Sequence, residues 1–225
     1  MFKKKLKAPL GVLRTRWFWF ARWVCRVFCI LFFRLHISGR ENIPKRGGFI
    51  LVGNHQSYLD PIFVGGPLKR HLYFLTRDDL FDNRLFGLLL SSVNTIPVKR
   101  EQADLAAMKT VINKLKEGHG VCLFPEGARC SDGKIAPFKK GFVLLARRAE
   151  AAIVPAVVDG AFECWPRHKK IFSFGATIVV NYGKAISSEQ IKKMSDKDLS
   201  KNLTDTLRQM QNDCRIKQGK EAYLY

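Results

Sequence analysis

Residues 49–60 read FILVGNHQSYLD, and Pro61 follows. The first five residues are apolar, with glycines on either side, the texture of a short strand buried on both faces. The apolar run stops at Asn54 and gives way to polar side chains. Asp60-Pro61 then offers a helix start, with Asp60 placed to cap it and proline at the first position. A buried strand that ends in polar residues ahead of a helix marks the carboxyl edge of an α/β sheet, where functional groups gather.

The same alternation continues outward. A short helix is expected at 61–64, a strand at 72–75, a helix at 81–92 and a strand at 95–98 (TIPV). Leu105, Met108, Val111, Ile112 and Leu115 share a helical face within 102–117, and Gly118 stops that helix. Strands at 121–124 (VCLF), 153–158 and 176–182 bracket a helix at 141–149, and a long helix closes the chain at 198–216. The expected class is α/β, a mixed and largely parallel sheet flanked by helices. No internal repeat and no second core is visible.

The chain has 225 residues, 47% hydrophobic and 26% charged. That composition suits one globular domain with a terminal extension and excludes a disordered or collagenous chain. Net charge is +20, which calls for an anionic partner such as a phosphorylated substrate, a membrane surface or nucleic acid. The charge is uneven: residues 1–46 hold twelve Lys and Arg against Glu41 alone. Six cysteines show neither C-x-x-C pairs nor zinc spacing, so they read as small buried hydrophobes in a reducing, cytosolic setting, and no metal is expected.

Residues 1–35 form a basic, aromatic segment ahead of a domain at 36–225. Trp17, Phe20, Val24, Val27, Phe28, Leu31 and Leu35 recur at three and four spacing and make one helical stripe, with the arginines off it. Arg14, Arg16, Arg22 and Arg26 break any uncharged core that a signal peptide or a simple spanning helix needs. The pattern fits a helix lying in a bilayer interface, with Trp at headgroup depth and Arg reaching phosphates. The competing reading is a helix that packs its stripe on the domain. No nucleic-acid motif is present, so no nucleic-acid partner is expected.

Four strand ends carry the chemistry. His55 and Asp60 follow the first. A carboxylate on one imidazole nitrogen fixes the tautomer and makes the other a base near neutral pH. Five residues turn about 500° on an ideal helix, so the pairing requires a turn or an irregular helix start. Asp60 has the simpler alternative of capping the helix that Pro61 opens. Arg100, Glu126 and Arg129 form a second group. Two arginines near a carboxylate can cradle a phosphate, the carboxylate holding a guanidinium in place, with Lys139 and Lys140 adding charge.

Taken together, NHQSYLD, IPVKR, FPEGARC and IVPAVVDG resemble, in order, the four blocks of the glycerolipid acyltransferases, with the H-x4-D signature in the first. The likeness spans residues 35–183 and is closest to the 1-acyl-sn-glycerol-3-phosphate acyltransferases. It implies that His55 takes the proton of a glycerol hydroxyl, which attacks an acyl thioester, while Asp60 orients His55. It implies that Arg100, Glu126, Gly127 and Arg129 bind the acceptor's glycerol phosphate, and that Pro155 helps shape the site and acyl path. The acceptor is then a lysophospholipid, and the donor is acyl-CoA or acyl carrier protein, with no cofactor. The expected location is the cytosolic face of an anionic membrane, held by the N-terminal segment. Ala128 and Cys130 stand where that family has Thr and Ser, which leaves room for a different lysolipid acceptor. Thioester hydrolysis and a non-catalytic membrane-binding protein are the other readings.

Overall fold

A computed structural model describes residues 11–99, 104–169 and 171–225; the basic head, residues 1–7, lies outside them. Seven strands form one sheet: β1 (Arg34–Ser38), β2 (Phe49–Gly53), β3 (Leu72–Arg77), β4 (Thr95–Val98), β5 (Gly120–Leu123), β6 (Ala152–Asp159) and β7 (Thr177–Tyr182). Their order is β1-β7-β6-β2-β5-β3-β4. All pairings are parallel except β6 with β7. The sheet is mixed and largely parallel, as the alternation of strands and helices requires.

Side chains alternate across a strand, and β2 shows what that does here. Phe49 and Leu51 face one layer, and Ile50 and Val52 the other, all fully buried. On the Ile50 side lie α4 (Leu105–Lys116), α5 (Gly141–Ala149), α7 (Ser188–Lys192) and α8 (Asp196–Lys217). On the Phe49 side lie α2 (Asp60–Gly65) and the end of α1 (Gly11–Phe32). Tyr182 Oη donates to Val64 O at 2.7 Å and ties α2 to β7 through the buried layer.

The helix expected at 81–92 is a 3-10 turn over Asp78–Phe81 followed by α3 (Arg84–Ser92). Short α6 (Ala161–Cys164) and α7 had no counterpart in the sequence reading. Neither did β1. Its Arg34 and His36 are exposed, so its alternation is that of an edge strand, and Leu35 had been counted into the helical stripe. The division at residue 35 falls inside this strand, because Arg34 and Leu35 pair with Thr177 and Ile178.

The helix α1 packs by the face opposite its stripe. Arg22 and Cys29 are buried, and Arg22 Nε donates to Gly66 O at 3.2 Å. Phe33, just beyond the helix, meets Phe63 edge-on at 5.3 Å. Trp17, Phe20, Val24 and Leu31 point away and are exposed, while Val27 and Phe28 are partly covered. The reading that the stripe packs on the core is therefore reversed. So is part of the interface reading, since Arg22 turns toward the domain. Among the described residues no helix is long and apolar enough to cross a membrane.

Candidate active site

The polar loop after β2 bonds to itself. Residues 54–57 are irregular, a turn occupies 58 and 59, and α2 begins at Asp60. The chain thus doubles back, and His55 Nδ1 lies 2.8 Å from Asp60 Oδ2. The same oxygen accepts the N–H groups of Gln56 and Ser57, each at 2.7 Å. These donors precede the helix, so Asp60 is no helix cap; the carboxylate is spent on the loop. Asp60 is fully buried, and its Oδ1 has no hydrogen-bond partner among the described residues. The imidazole lies against the Phe124 ring, with centroids 4.4 Å apart and planes 16° from parallel.

Three further side chains fix this loop, and none carried a functional expectation. The Asn54 amide donates to Val158 O at 2.9 Å and accepts Val158 N–H at 2.8 Å, extending the β2–β6 ladder beyond Gly53. Gln56 donates to Gly133 O and accepts Phe162 N–H. The ring of Tyr58 carries the Arg129 guanidinium at 3.4 Å.

The loop after β5 is held by its neighbours. Glu126 Oε1 accepts His55 N–H at 2.7 Å, and Oε2 accepts Ala136 N–H at 3.0 Å. Among the described residues Glu126 therefore clamps two backbone segments together, where the sequence suggested that it steadies an arginine. Burial pushes its carboxyl up to about 7, assisted by the Asp60 charge and opposed by the two N–H donors and His55. Gly127 sits at φ 76, where a side chain is strained, and an added Cβ meets Lys139 Nζ at 2.9 Å. Its glycine has a backbone reason. From the other side, α8 grips residues 133–138. Gln211 and Arg208 donate to Gly133 O and Ile135 O, and Ser200 Oγ donates to Phe138 O.

Arg129 Nη1 is buried without a hydrogen-bond partner among the described residues, and Glu126 and Arg129 line one cavity of about 500 Å³ together with Lys134, Arg208 and Tyr225. Arg100 lies outside the described residues. Pro155 is buried in mid-strand opposite Val52. Cys130 donates its N–H to His55 O at 2.8 Å, and burial pushes its thiol up to about 12, so it is no nucleophile at neutral pH. Among the described residues no group of three or more His, Cys, Asp or Glu is placed to hold a metal.

A family model described as Acyltransferase matches residues 34–159. The 1-acyl-sn-glycerol-3-phosphate acyltransferase of Bacillus subtilis is 29% identical over 174 residues, which is 77% of this chain and 84% of that protein. The protein of the same name from Pseudomonas aeruginosa is 32% identical over 193 residues, 81% of this chain and 72% of its own. Among solved structures, the 1-acyl-sn-glycerophosphate acyltransferase PlsC of Thermotoga maritima superposes with a TM-score of 0.72 at 25% identity, over 89% of this chain and 79% of that one.

Proposed function

The chain belongs to the acyltransferase family, and on that premise we infer that it moves a fatty acyl group from an acyl thioester to the free hydroxyl of a lysophospholipid. The acceptor that the relatives' names favour is 1-acyl-sn-glycerol-3-phosphate, and the product is then phosphatidic acid.

The observation that carries the mechanism is the His55–Asp60 contact. A buried carboxylate on Nδ1 holds the ring in one tautomer, leaves Nε2 as the base, and stabilises the imidazolium that forms. Nε2 takes the proton of the acceptor hydroxyl as its oxygen attacks the thioester carbonyl. The tetrahedral intermediate collapses with loss of the thiolate, which recovers the proton from His55. The acceptor hydroxyl stands where a serine stands in a hydrolytic triad, so no acyl-enzyme is needed. Arg129, over the Tyr58 ring and with a buried N–H group that has no hydrogen-bond partner among the described residues, is the cation for the acceptor's phosphate. Arg100 is assigned to the same task on its place in IPVKR. Glu126 and Gly127 shape the loop that presents Arg129.

The outward stripe of α1 supports seating on the cytosolic face of an anionic membrane. The donor is acyl-CoA or acyl carrier protein, without a cofactor. The test is purified protein in detergent with each donor and a panel of lysolipids, products read by mass. Transfer to 1-acyl-sn-glycerol-3-phosphate above the other acceptors is the expected result. Release of free fatty acid alone would establish hydrolysis instead, and transfer to a different lysolipid would reassign the acceptor.

A further inference from the structure

Residues 165–176, between α6 and β7, take no part in the proton chemistry, yet they are built of rings. Tyr58 and Trp165 have centroids 5.1 Å apart, Trp165 and Phe172 5.5 Å, and Phe172 and Phe174 4.9 Å. Phe174 meets Phe32 of α1 at 5.1 Å, and Phe172 meets Phe28 at 5.7 Å. The series starts under the Arg129 guanidinium. A chain of partly buried ring contacts thus runs from Arg129 to Phe28 and Phe32 near the end of α1.

The outer end of this run of rings is uncovered. Ile171 is 76% exposed and Phe174 62%, next to exposed Leu31 and Phe32. Arg167, His168 and Lys169 flank them and are exposed too. Large apolar side chains bare to solvent beside cations suit the boundary between lipid tails and anionic headgroups. The loop is also tied to the helix. Gly175 N–H donates to Phe32 O at 2.8 Å, Ser173 N–H to Cys164 O at 2.8 Å, and Trp165 Nε1 to Lys169 O at 3.0 Å. The reversed strand β7 explains the location. Its first residues lie beside the last residues of β6, with Val179 opposite Asp159, so the loop that feeds it emerges at the catalytic edge.

We propose that residues 165–169 and 171–176 enter the bilayer alongside α1, and that the series Phe174, Phe172, Trp165 and Tyr58 is the track on which the acceptor's hydrocarbon chain lies while its phosphate reaches Arg129. The proposal rests on the lysophospholipid reading above. Its occupant is a single-chain anionic lipid drawn from one leaflet.

The chain has four tryptophans, three of them in α1, so Trp17→Phe, Trp19→Phe and Trp23→Phe together leave Trp165 as the sole indole reporter. This full-length variant is mixed with vesicles of phosphatidylcholine and phosphatidylglycerol, with and without chain-brominated lipid. Quenching of Trp165 by the brominated chains is expected, and unquenched Trp165 in vesicle-bound protein overturns the proposal. Separately, the double variant Ile171→Ser, Phe174→Ser is assayed with a long-chain acceptor in vesicles and a short-chain acceptor free in solution. Both side chains are exposed, so the fold is not at stake. The loss on the vesicle acceptor should exceed that on the soluble acceptor by roughly tenfold or more, the scale of two apolar side chains leaving lipid. Equal losses, or none, overturn the proposal. So does a concentration-dependent dimer that the double variant abolishes, which would give the face to a second copy. Wild-type protein that acylates neither acceptor would sink the functional reading, while Trp165 quenching would still decide whether the loop meets lipid.

Discussion

The loop after β2 and the loop after β5 meet at His55, and each is organised by one carboxylate, Asp60 fully buried and Glu126 partly so. Asp60 gathers three donors onto a single oxygen, all from its own loop. Glu126 spends one oxygen on His55 N–H and the other on Ala136 N–H, ten residues further along its own loop. The first arrangement aims a ring, and the second fastens two backbones. The β2 loop thus fixes the His55 ring by contacts within itself, with Glu126 adding a hold on the His55 backbone. The β5 loop borrows its shape from α8, and it carries Arg129, the arginine proposed to meet the acceptor. The proposed base and the proposed acceptor cation thus sit on two loops that are joined at His55 through Glu126 and Cys130 and draw their other supports from different places.

The sharpest break of this comparison is His55→Ala. Loss of the base should lower kcat by roughly 10²–10⁴-fold or more with the fold intact by circular dichroism. A variant with near-normal turnover would dissolve the proposed mechanism. Asp60→Asn should fall in the same direction and also lose stability, because the loop's three donors lose a charged acceptor.

Glu126 separates the two carboxylates by titration. Folded, its carboxyl holds its proton to about pH 7, against 4.5 when free. Its stabilising contribution is thus complete below pH 4.5 and lost as pH rises through 7. The difference amounts to about 3 kcal/mol. Glu126→Gln should flatten this slope in urea unfolding measured from pH 4 to 8. Parallel slopes in the two proteins would show that Glu126 does not titrate in that range.

Arg129→Ala tests the other half of the comparison. Removing a charge-assisted phosphate contact should lower kcat/KM for the acceptor by roughly ten- to a hundredfold, leaving donor saturation near wild type. Equal effects on both substrates would move Arg129 out of the acceptor site. Gln211→Ala is expected to be the mildest. It removes one of the two side-chain donors on Gly133 O and a donor to Asp159, costing about 1 kcal/mol, with a rise in acceptor KM larger than any fall in kcat. A fall in kcat alone would mean that α8 supports the base as well.

Legibility in the sequence followed the same division. Strands such as FILVG announced themselves because burial on both faces demands an unbroken apolar run. The His55–Asp60 pair was legible as a motif, and the required departure from helical geometry is present in the irregular stretch before Asp60. The clamp role of Glu126 was hidden because its partners are backbone N–H groups, which leave no trace in residue identity. Tyr58 was hidden for another reason: its partner, Arg129, is 71 positions away, and only the adjacency of β2 and β5 brings the two loops together. The facing of α1 stayed open between bilayer and domain because periodicity reports a stripe but not which side the domain takes. One guanidinium bonded to Gly66 O, with Cys29 in the core, settles the rotation.

The reversal of β7 has a kinetic consequence. It sets the end of α1, the ring-built loop and the carboxyl edge of the parallel strands on one side of the molecule. An enzyme seated by that side samples its acceptor in two dimensions. Its rate should then follow the mole fraction of acceptor within the leaflet, not millimoles per litre of suspension. Diluting the acceptor with inert phospholipid should slow turnover, and diluting the whole suspension with buffer should not, as long as the enzyme stays bound.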